Sequence, residues 1–172
     1  MVSDMLFLAK TEHGIELPHR ETVSLIDEVL ALFDFYEALA EEKHIALEAD
    51  GNAHIVCDRL MIRRAISNLL SNAIRYSPPN APVRVLVTQG DGQIQLCVHN
   101  AGPAIPAADL PRLFDRFYRA EKSRSNPDSE GTGLGLSITR AIMQAHGGSA
   151  SVASTEQTTT FCLSFPTQDA SS

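Results

Sequence analysis

Two carboxamide side chains lie at helical spacing in the middle of this sequence. Asn68 and Asn72 are four residues apart, so a helix stacks them on one face. Asparagine is a weak helix former, and burial without partners is costly for an amide, so the pair needs another explanation. An amide oxygen is a suitable hard ligand for Mg²⁺, and Arg75 and Tyr76 at the helix end can reach phosphate oxygens. The alternative is a pair of solvated or capping asparagines.

A second stretch has glycine on alternate residues. Gly131, Gly133 and Gly135 permit positive φ and close backbone approach, and they open a predicted helix whose N-terminus favours an anion. No Lys-Ser/Thr pair follows them, and no strand leads directly into them, so neither the Walker nor the dinucleotide-binding pattern applies. The spacing indicates a phosphate cradle, with a flexible hinge before a helix as the alternative.

Two further stretches complete the set of candidate functional segments. Residues 98–105 end a predicted strand with Asn100-Ala-Gly102-Pro-Ala, and residues 113–119 read LFDRFYR. In the second stretch we expect Phe114 and Phe117 to be core anchors. Positive charge beside the glycine loop suits a triphosphate in an otherwise acidic protein. That charge comes from Arg116, Arg119, Lys122 and Arg124.

Hydrophobic periodicity and turn residues predict the elements that position these segments. Helices are expected at about 25–43, 58–76 and 134–146, the second capped by Asp58. The first of them carries a hydrophobic face made of Val29, Leu32, Phe33, Tyr36 and Leu39. Strands are expected near 45–49, 55–57, 83–89, 93–100, 149–154 and 159–165. Hairpins with interposed helices predict an α/β two-layer sandwich, in which about three helices cover one face of a mixed, largely antiparallel sheet.

Length and composition fit one globular domain with its own core. The chain has 172 residues, of which 44% are hydrophobic, and a net charge of −7 that disfavours nucleic-acid binding. No apolar run reaches the roughly 18 residues that a membrane helix needs, and we expect no secretory signal. Residues 1–10 have helical apolar spacing that calls for an external partner, whereas residues 167–172 form a polar tail that we expect to be flexible.

The cysteines and histidines do not suggest a metal centre. Cys57, Cys97 and Cys162 are odd in number and lie in apolar surroundings, so we expect reduced, buried thiols in a cytosolic setting. His54 and Cys57 are three apart and would lie on opposite faces of a strand. Cys97 and His99 share a face but have no further ligands nearby in sequence, so we expect no structural metal site.

The order and spacing of the four segments resemble the N, G1, F and G2 boxes of the catalytic domain of bacterial sensor histidine kinases, within the GHKL (Bergerat-fold) superfamily. The resemblance rests on NLLSNAIRYS, LPRLFDRFYRAEKSR and EGTGLGLSI and covers residues 20–166. Residues 1–12 look like the end of the dimerisation and phosphoacceptor hairpin of such kinases. The stretch DMLFLAK and the variant G1 box look most like the heavy-metal (copper and silver) sensor kinases.

The resemblance implies a function and a set of site residues. The domain would bind Mg·ATP and donate the γ-phosphate to a histidine on the adjacent phosphoacceptor domain. Asn68, Asn72 and Arg75 would be catalytic, with Asn72 coordinating Mg²⁺. The ATP-binding residues that the resemblance implies are Asn68, Asn72, Arg75, Tyr76, Asn100, Gly102, Ile105, Phe117, Arg119, Gly131, Thr132, Gly133, Leu134, Gly135, Leu136 and Thr160.

The sequence departs from the family pattern near the adenine end. The usual G1 box is Asp-x-Gly-x-Gly, but here Asn100 replaces the aspartate and Ala104 replaces the second glycine. Asn100 can still accept a hydrogen bond from the adenine amino group, without the charge assistance that roughly doubles its strength. The glycine usually found before the final Thr-Phe is also replaced, within residues 156–160. We therefore expect adenine recognition with reduced affinity.

The resemblance also implies partners, and it leaves rivals. The expected partners are the protein's own phosphoacceptor domain and a response regulator. The full-length protein is expected to be a homodimer anchored in the inner membrane, with this domain in the cytoplasm. One rival is an ATPase of the gyrase or Hsp90 type, which would have glutamate at position 68 as a general base. The others are a degenerate regulatory nucleotide-binding module and an anti-sigma-factor serine kinase, which would lack LFDRFYR.

Overall fold

The structure is a computed structural model that describes residues 19–115 and 135–167, together with Leu6. Apart from Leu6, the predicted helix end at residues 1–12 lies outside these residues. The chain forms β1 (Arg20–Ser24), α1 (Leu25–Glu42), β2 (Leu47–Asp50), β3 (His54–Asp58), α2 (Arg59–Tyr76), β4 (Val83–Gly90), β5 (Gln93–Ala101), α3 (Gly135–Ala145), β6 (Ser149–Ser154) and β7 (Thr158–Pro166), with a 3-10 turn at Leu110–Arg112. Within the described ranges no helix is long and apolar enough to cross a bilayer.

Helix α2 carries the asparagine pair and starts where the sequence predicts. The side chain of its N-cap, Asp58, accepts a hydrogen bond from the Met61 amide over 3.3 Å, which satisfies one of the free amides of the first turn. The helix ends at Tyr76, and it is followed by Ser77, which has an extended backbone, and then by Pro78. Its apolar stripe is buried, which fixes the rotation of the helix on the sheet. That stripe consists of Ile62, Ala65, Ile66, Leu69, Leu70, Ala73 and Ile74.

Five strands form the main sheet in the order β2-β4-β5-β7-β6. β2 pairs in parallel with β4, and the other three pairs are antiparallel. Alternate side chains of the strands point toward the three helices and are buried with them in one core. The predicted two-layer α/β sandwich is confirmed. The face of the five-stranded sheet against which the helices pack is called the inner face, and the opposite face is called the outer face.

Two details of the prediction are wrong. β1 and β3 form a separate two-stranded antiparallel sheet, whereas the sequence predicted a single sheet and no strand at β1. The sequence of β1, RETVS, has little apolar alternation, and its first three side chains are exposed. Its pairing with β3 is therefore what defines it as a strand. In α1, Leu39 is 44% exposed, because Ala40 continues the helical stripe of Val29 and Leu32.

The expectation of three reduced thiols is also wrong. Cys97 on β5 and Cys162 on β7 are directly opposite each other in the strand register and form a disulfide. Their separation of 65 residues along the chain hid this pairing. Cys57 is a free, buried thiol as expected, and burial raises its pKa to about 12.

Candidate functional site

The exposed side of α2 presents the predicted polar residues in a row. Asn68 and Asn72 are half-buried, and Arg75 and Tyr76 at the end of the helix are exposed. Because the apolar stripe of α2 faces the core, these polar side chains are turned toward the opposite side of the helix. In the C-terminal half of α2, the side chains of Asn68, Asn72, Arg75 and Tyr76 therefore form a polar strip.

One end of the strip is fastened to α3. The Asn68 amide nitrogen donates to the Gly135 carbonyl oxygen over 3.0 Å and to the Thr139 hydroxyl over 3.3 Å. The Thr139 hydroxyl, which is fully buried, donates in turn to the same Gly135 carbonyl over 2.9 Å. The Asn68 carboxamide oxygen has no hydrogen-bond partner within residues 19–115 and 135–167. This oxygen is therefore the atom that Asn68 can offer to a ligand.

The other end of the strip meets the loop that follows β5. A Cβ atom added to Gly102 would lie 3.5 Å from the Tyr76 carbonyl oxygen and 3.8 Å from the Asn100 amide nitrogen. Asn100 is 6% exposed, lies on the inner face of the sheet and donates to the Ala101 carbonyl over 3.0 Å. The structure thus places the predicted G1-box residues next to the Tyr76 end of the strip that the N-box residues form.

The segment that follows β5, residues 102–105, is called the G1 loop here, and it is hydrogen-bonded to the hairpin of β6 and β7. The Gly102 amide donates to the Gln157 carbonyl over 3.0 Å, and the Ile105 amide donates to the Ser154 hydroxyl over 2.9 Å. The Ser154 hydroxyl lies 3.4 Å from the hydroxyl of Thr159. Ile105 is half-buried and packs on the core. These bonds fix the loop backbone next to Asn100.

Thr160 points away from this cluster, and its role near the adenine stays a prediction. Its hydroxyl lies 2.8 Å from His99 Nδ1 on the outer face of the sheet. Thr159 instead points inward, is 5% exposed and lies opposite Asn100 in the strand register. Strand alternation separates neighbouring threonines onto opposite faces, and the resemblance alone did not fix which of them points inward.

The start of the LFDRFYR stretch is anchored between the sheet and α3. Phe114 is buried, as expected, and stacks edge-on against Phe161 at a centroid distance of 6.1 Å. Asp115 lies 3.8 Å from the Arg140 guanidinium on α3. Leu136, in the first turn of α3, packs against the core. The predicted site residues Phe117, Arg119, Gly131, Thr132, Gly133 and Leu134 lie outside the described residues.

Three residues that the sequence patterns did not indicate lie against the predicted site residues. Thr139 supports Asn68, Thr159 faces Asn100, and the Lys43 ammonium group lies at the end of α2. Thr139 follows Gly135 by four residues, so helical spacing could have found it. The placement of Lys43 depends on how α1 packs against α2, which no local pattern reveals.

Comparison with known proteins gives a consistent family. Residues 57–169 match the family described as histidine kinase-, DNA gyrase B- and HSP90-like ATPase. The chain is 45% identical to sensor histidine kinase CusS of Escherichia coli O157:H7, over 96% of this chain and 34% of that protein. It is 37% identical to sensor protein CzcS of Cupriavidus metallidurans, over 96% of this chain and 35% of that protein. The chain thus spans about a third of the length of these relatives.

A solved structure supports the same family. The catalytic domain of histidine kinase ThkA superposes with a TM-score of 0.74 at 25% identity, covering 86% of this chain and 95% of that one. The family match covers α2, the G1 loop and α3, the three elements that assemble the polar strip. The chain belongs to the histidine kinase-, DNA gyrase B- and HSP90-like ATPase family, and within it resembles the catalytic domains of heavy-metal sensor histidine kinases.

Proposed function

We propose that this chain is the catalytic domain of a sensor histidine kinase, which binds Mg·ATP and donates its γ-phosphate to a histidine of a phosphoacceptor domain. The observation that carries the proposal is the polar strip of α2, which is hydrogen-bonded to α3 at Asn68 and lies against the G1 loop at Tyr76. Phosphoryl transfer requires mainly positioning and charge stabilisation, and a strip bonded to α3 at one end and adjacent to the G1 loop at the other supports the positioning.

The donor set of the strip fits a magnesium ion that is shared with phosphates. Asn72 is half-buried and makes no side-chain hydrogen bond to any residue that the structure describes. Mg²⁺ keeps several waters and takes few protein ligands beside substrate phosphates, so neutral amide oxygens are sufficient. Asn72 would hold the ion, with the Asn68 oxygen nearby. The ion would neutralise charge that develops on the phosphates.

The adenine end of the site is proposed to lie at Asn100 and the G1 loop. Asn100 is nearly buried against the core, where a hydrogen bond to an adenine amino group would be shielded from water. Gly102 and Ile105 are tied by their backbone amides to the neighbouring hairpin. Because Asn100 is neutral, we expect adenine binding that is weaker than with an aspartate.

The acceptor histidine is proposed to lie on an adjacent phosphoacceptor domain and to be none of the six histidines of this chain. The histidines that the structure describes, at positions 19, 44, 54, 99 and 146, all lie in strands or turns. Of these, His99 and His146 are already engaged in hydrogen bonds inside the domain. A histidine on a phosphoacceptor hairpin is therefore the better acceptor, and this chain alone should form no stable phosphohistidine.

Further partners follow from the relatives. Histidine kinase ThkA has been solved in complex with the response regulator TrrA. We propose that a response regulator likewise receives the phosphoryl group here, and that the full-length protein is a homodimer in the inner membrane with this domain in the cytoplasm. Heavy-metal sensing by the full-length protein is proposed from its likeness to CusS and CzcS.

Calorimetric titration with ATP tests the proposal. We expect saturable binding that weakens when Mg²⁺ is omitted, and loss of the Mg²⁺ dependence in Asn72→Ala. The matched control is Asn80→Gly, because Asn80 is exposed and has a φ of 70° that glycine adopts readily. Absence of ATP binding to the folded wild-type protein would favour the degenerate regulatory module instead.

Phosphate release distinguishes the kinase from the ATPase alternative. An amide cannot serve as a general base, and Asn68 stands where gyrase-type enzymes need a carboxylate. We therefore expect negligible ATP hydrolysis by the chain alone. Steady turnover that Asn68→Ala abolishes would support the ATPase.

A further inference from the structure

The ammonium group of Lys43 lies at the end of the helix that carries the site. Its Nζ donates to the carbonyl oxygens of Ile74 over 2.7 Å, Arg75 over 3.0 Å and Ser77 over 2.9 Å. A lysine ammonium group has three N–H donors, so these contacts use all of them. Lys43 is half-buried at the C-cap of α1 and is brought to α2 by the packing of the two helices.

The end of α2 needs such a partner. The last carbonyls of a helix lack intrahelical donors and carry partial negative charge. The Ser77 amide satisfies the Ala73 carbonyl, but Pro78 has no N–H, so the usual glycine-type cap cannot form. A cation placed on these carbonyls supplies both hydrogen bonds and a favourable interaction with the helix dipole.

The backbone of Lys43 is itself fixed on both sides. Its amide donates to the Ala40 carbonyl over 3.1 Å, and its carbonyl accepts from the Asn80 amide over 3.3 Å. The ammonium group therefore approaches α2 from an anchored position. The remaining carbonyl of this turn, that of Tyr76, lies next to Gly102 of the G1 loop. The last turn of α2 is thus bonded to Lys43 and adjacent to the G1 loop.

We propose that Lys43 is a positioning residue for nucleotide binding, which fixes the last turn of α2 so that Asn72, Arg75 and Tyr76 face the bound nucleotide. Lys43 does not contact the nucleotide, because its three donors are occupied by backbone carbonyls. This inference rests on the proposed ATP-binding function.

Substitution of Lys43 with calorimetric and exchange readouts tests the inference. Lys43→Met keeps the aliphatic stem without the donors, whereas Lys43→Arg keeps a cation with donors. The expected Kd for Mg·ATP rises about tenfold in Lys43→Met and is largely restored in Lys43→Arg. Arg84→Met is the matched control, since Arg84 pairs with Glu48 on the outer face of the sheet, away from α2.

Amide hydrogen exchange separates positioning from general stability. In Lys43→Met the amides of residues 73–77 should lose protection, while those of α3 keep theirs. An unchanged Kd in folded Lys43→Met, or an equal loss of protection throughout the domain, would overturn the inference. If Lys43→Met does not fold, the same readouts are taken on Lys43→Gln, where an unchanged Kd is again decisive. Failure of the wild-type protein to bind ATP would instead refute the proposed function, and the exchange result would still report on the cap.

Discussion

The Asn68 amide nitrogen donates a hydrogen bond to the carbonyl oxygen of Gly135 over 3.0 Å. This bond joins α2 to the first residue of α3, which is also the last glycine of the predicted glycine-rich segment. It also orients the carboxamide, because the nitrogen faces α3 and the oxygen is left for a ligand. A carboxylate at position 68 has no donor, so it could not make this bond.

Asn68→Asp should therefore weaken both folding and ATP binding. A carboxylate oxygen would face the Gly135 carbonyl where the amide nitrogen now donates. We expect the free energy of unfolding in urea to fall by about 1–3 kcal/mol, as for a lost hydrogen bond whose partner stays buried. The Kd for Mg·ATP, measured by calorimetry on the folded fraction, should rise about tenfold.

The direction of this change discriminates between two functions of Asn68. If Asn68 were only a magnesium ligand, aspartate would bind the ion at least as well, and ATP affinity would be kept or improved. Thr139→Val tests the connection between Asn68 and α3 from the side of α3. It removes the hydroxyl that accepts from the Asn68 nitrogen and donates to the Gly135 carbonyl. Thr139→Ser retains the hydroxyl and is its control.

Asn100→Asp should strengthen ATP binding. A carboxylate would give the adenine amino group a charge-assisted acceptor, which is roughly twice as strong as a neutral one. We expect about a fivefold lower Kd for ATP by calorimetry. The unliganded protein should be less stable, because Asn100 is nearly buried and its bond to the Ala101 carbonyl would be lost.

GTP is the control ligand for Asn100→Asp. Guanine has a carbonyl oxygen where adenine has its amino group, so a carboxylate there should repel it. An equal gain for GTP, or a loss for ATP, would place the adenine elsewhere in the domain.

Local patterns in the sequence predicted those parts of the fold and site that depend on neighbouring residues. The Asp58 cap and the apolar stripe of α2 defined the helix, and helical spacing placed Asn68 and Asn72 on one side of it. These features need only the helical period and the chemistry of a free amide, both of which are readable from a short segment.

Features that depend on distant parts of the chain were not predictable in this way. Cys97 and Cys162 are brought together only by the register of β5 with β7, and β1 is a strand only because β3 lies beside it. Lys43 reaches the end of α2 through the packing of two helices. Tertiary pairing decides each of these, and spacing along the chain does not record it.

Reduction of the disulfide should destabilise the domain without blocking the site. Cys97 and Cys162 close a loop of 65 residues, and loss of such a cross-link typically costs about 2–5 kcal/mol. We expect dithiothreitol to lower the free energy of unfolding by about 2–4 kcal/mol in urea titrations. ATP affinity should change little at low urea, because the pair lies on the outer face with His99 and Thr160.

Thiol counting provides the control for this prediction. The unreduced protein, once denatured, should show one reactive thiol, which belongs to Cys57. A Cys97→Ser/Cys162→Ser double variant should not respond to the reductant. Three thiols in the unreduced protein would mean that the disulfide does not form.

Stability should fall as the pH drops through the histidine range, partly because of His146. Its Nε2 accepts from the Asp58 amide over 3.1 Å, and its Nδ1 lies 2.7 Å from the Ile142 carbonyl, so the folded domain needs the neutral ring. Burial lowers the pKa of His146, and burial beside Arg84 lowers the pKa of His99. The unfolded chain, with a histidine pKa of about 6.5, therefore takes up protons first.

The histidine contribution is then complete above about pH 6.5 and is lost as the pH falls toward the folded-state pKa values. Urea titrations between pH 7.5 and 5.5 should show a smaller loss of unfolding free energy in His146→Gln than in the wild type. His99→Gln should remove its own share, and the double variant should have the flattest profile, since separate sites add. A wild-type slope that persists in His146→Gln would show that its protonation is not coupled to folding, and that the link between α3 and the α2 cap tolerates a charged ring.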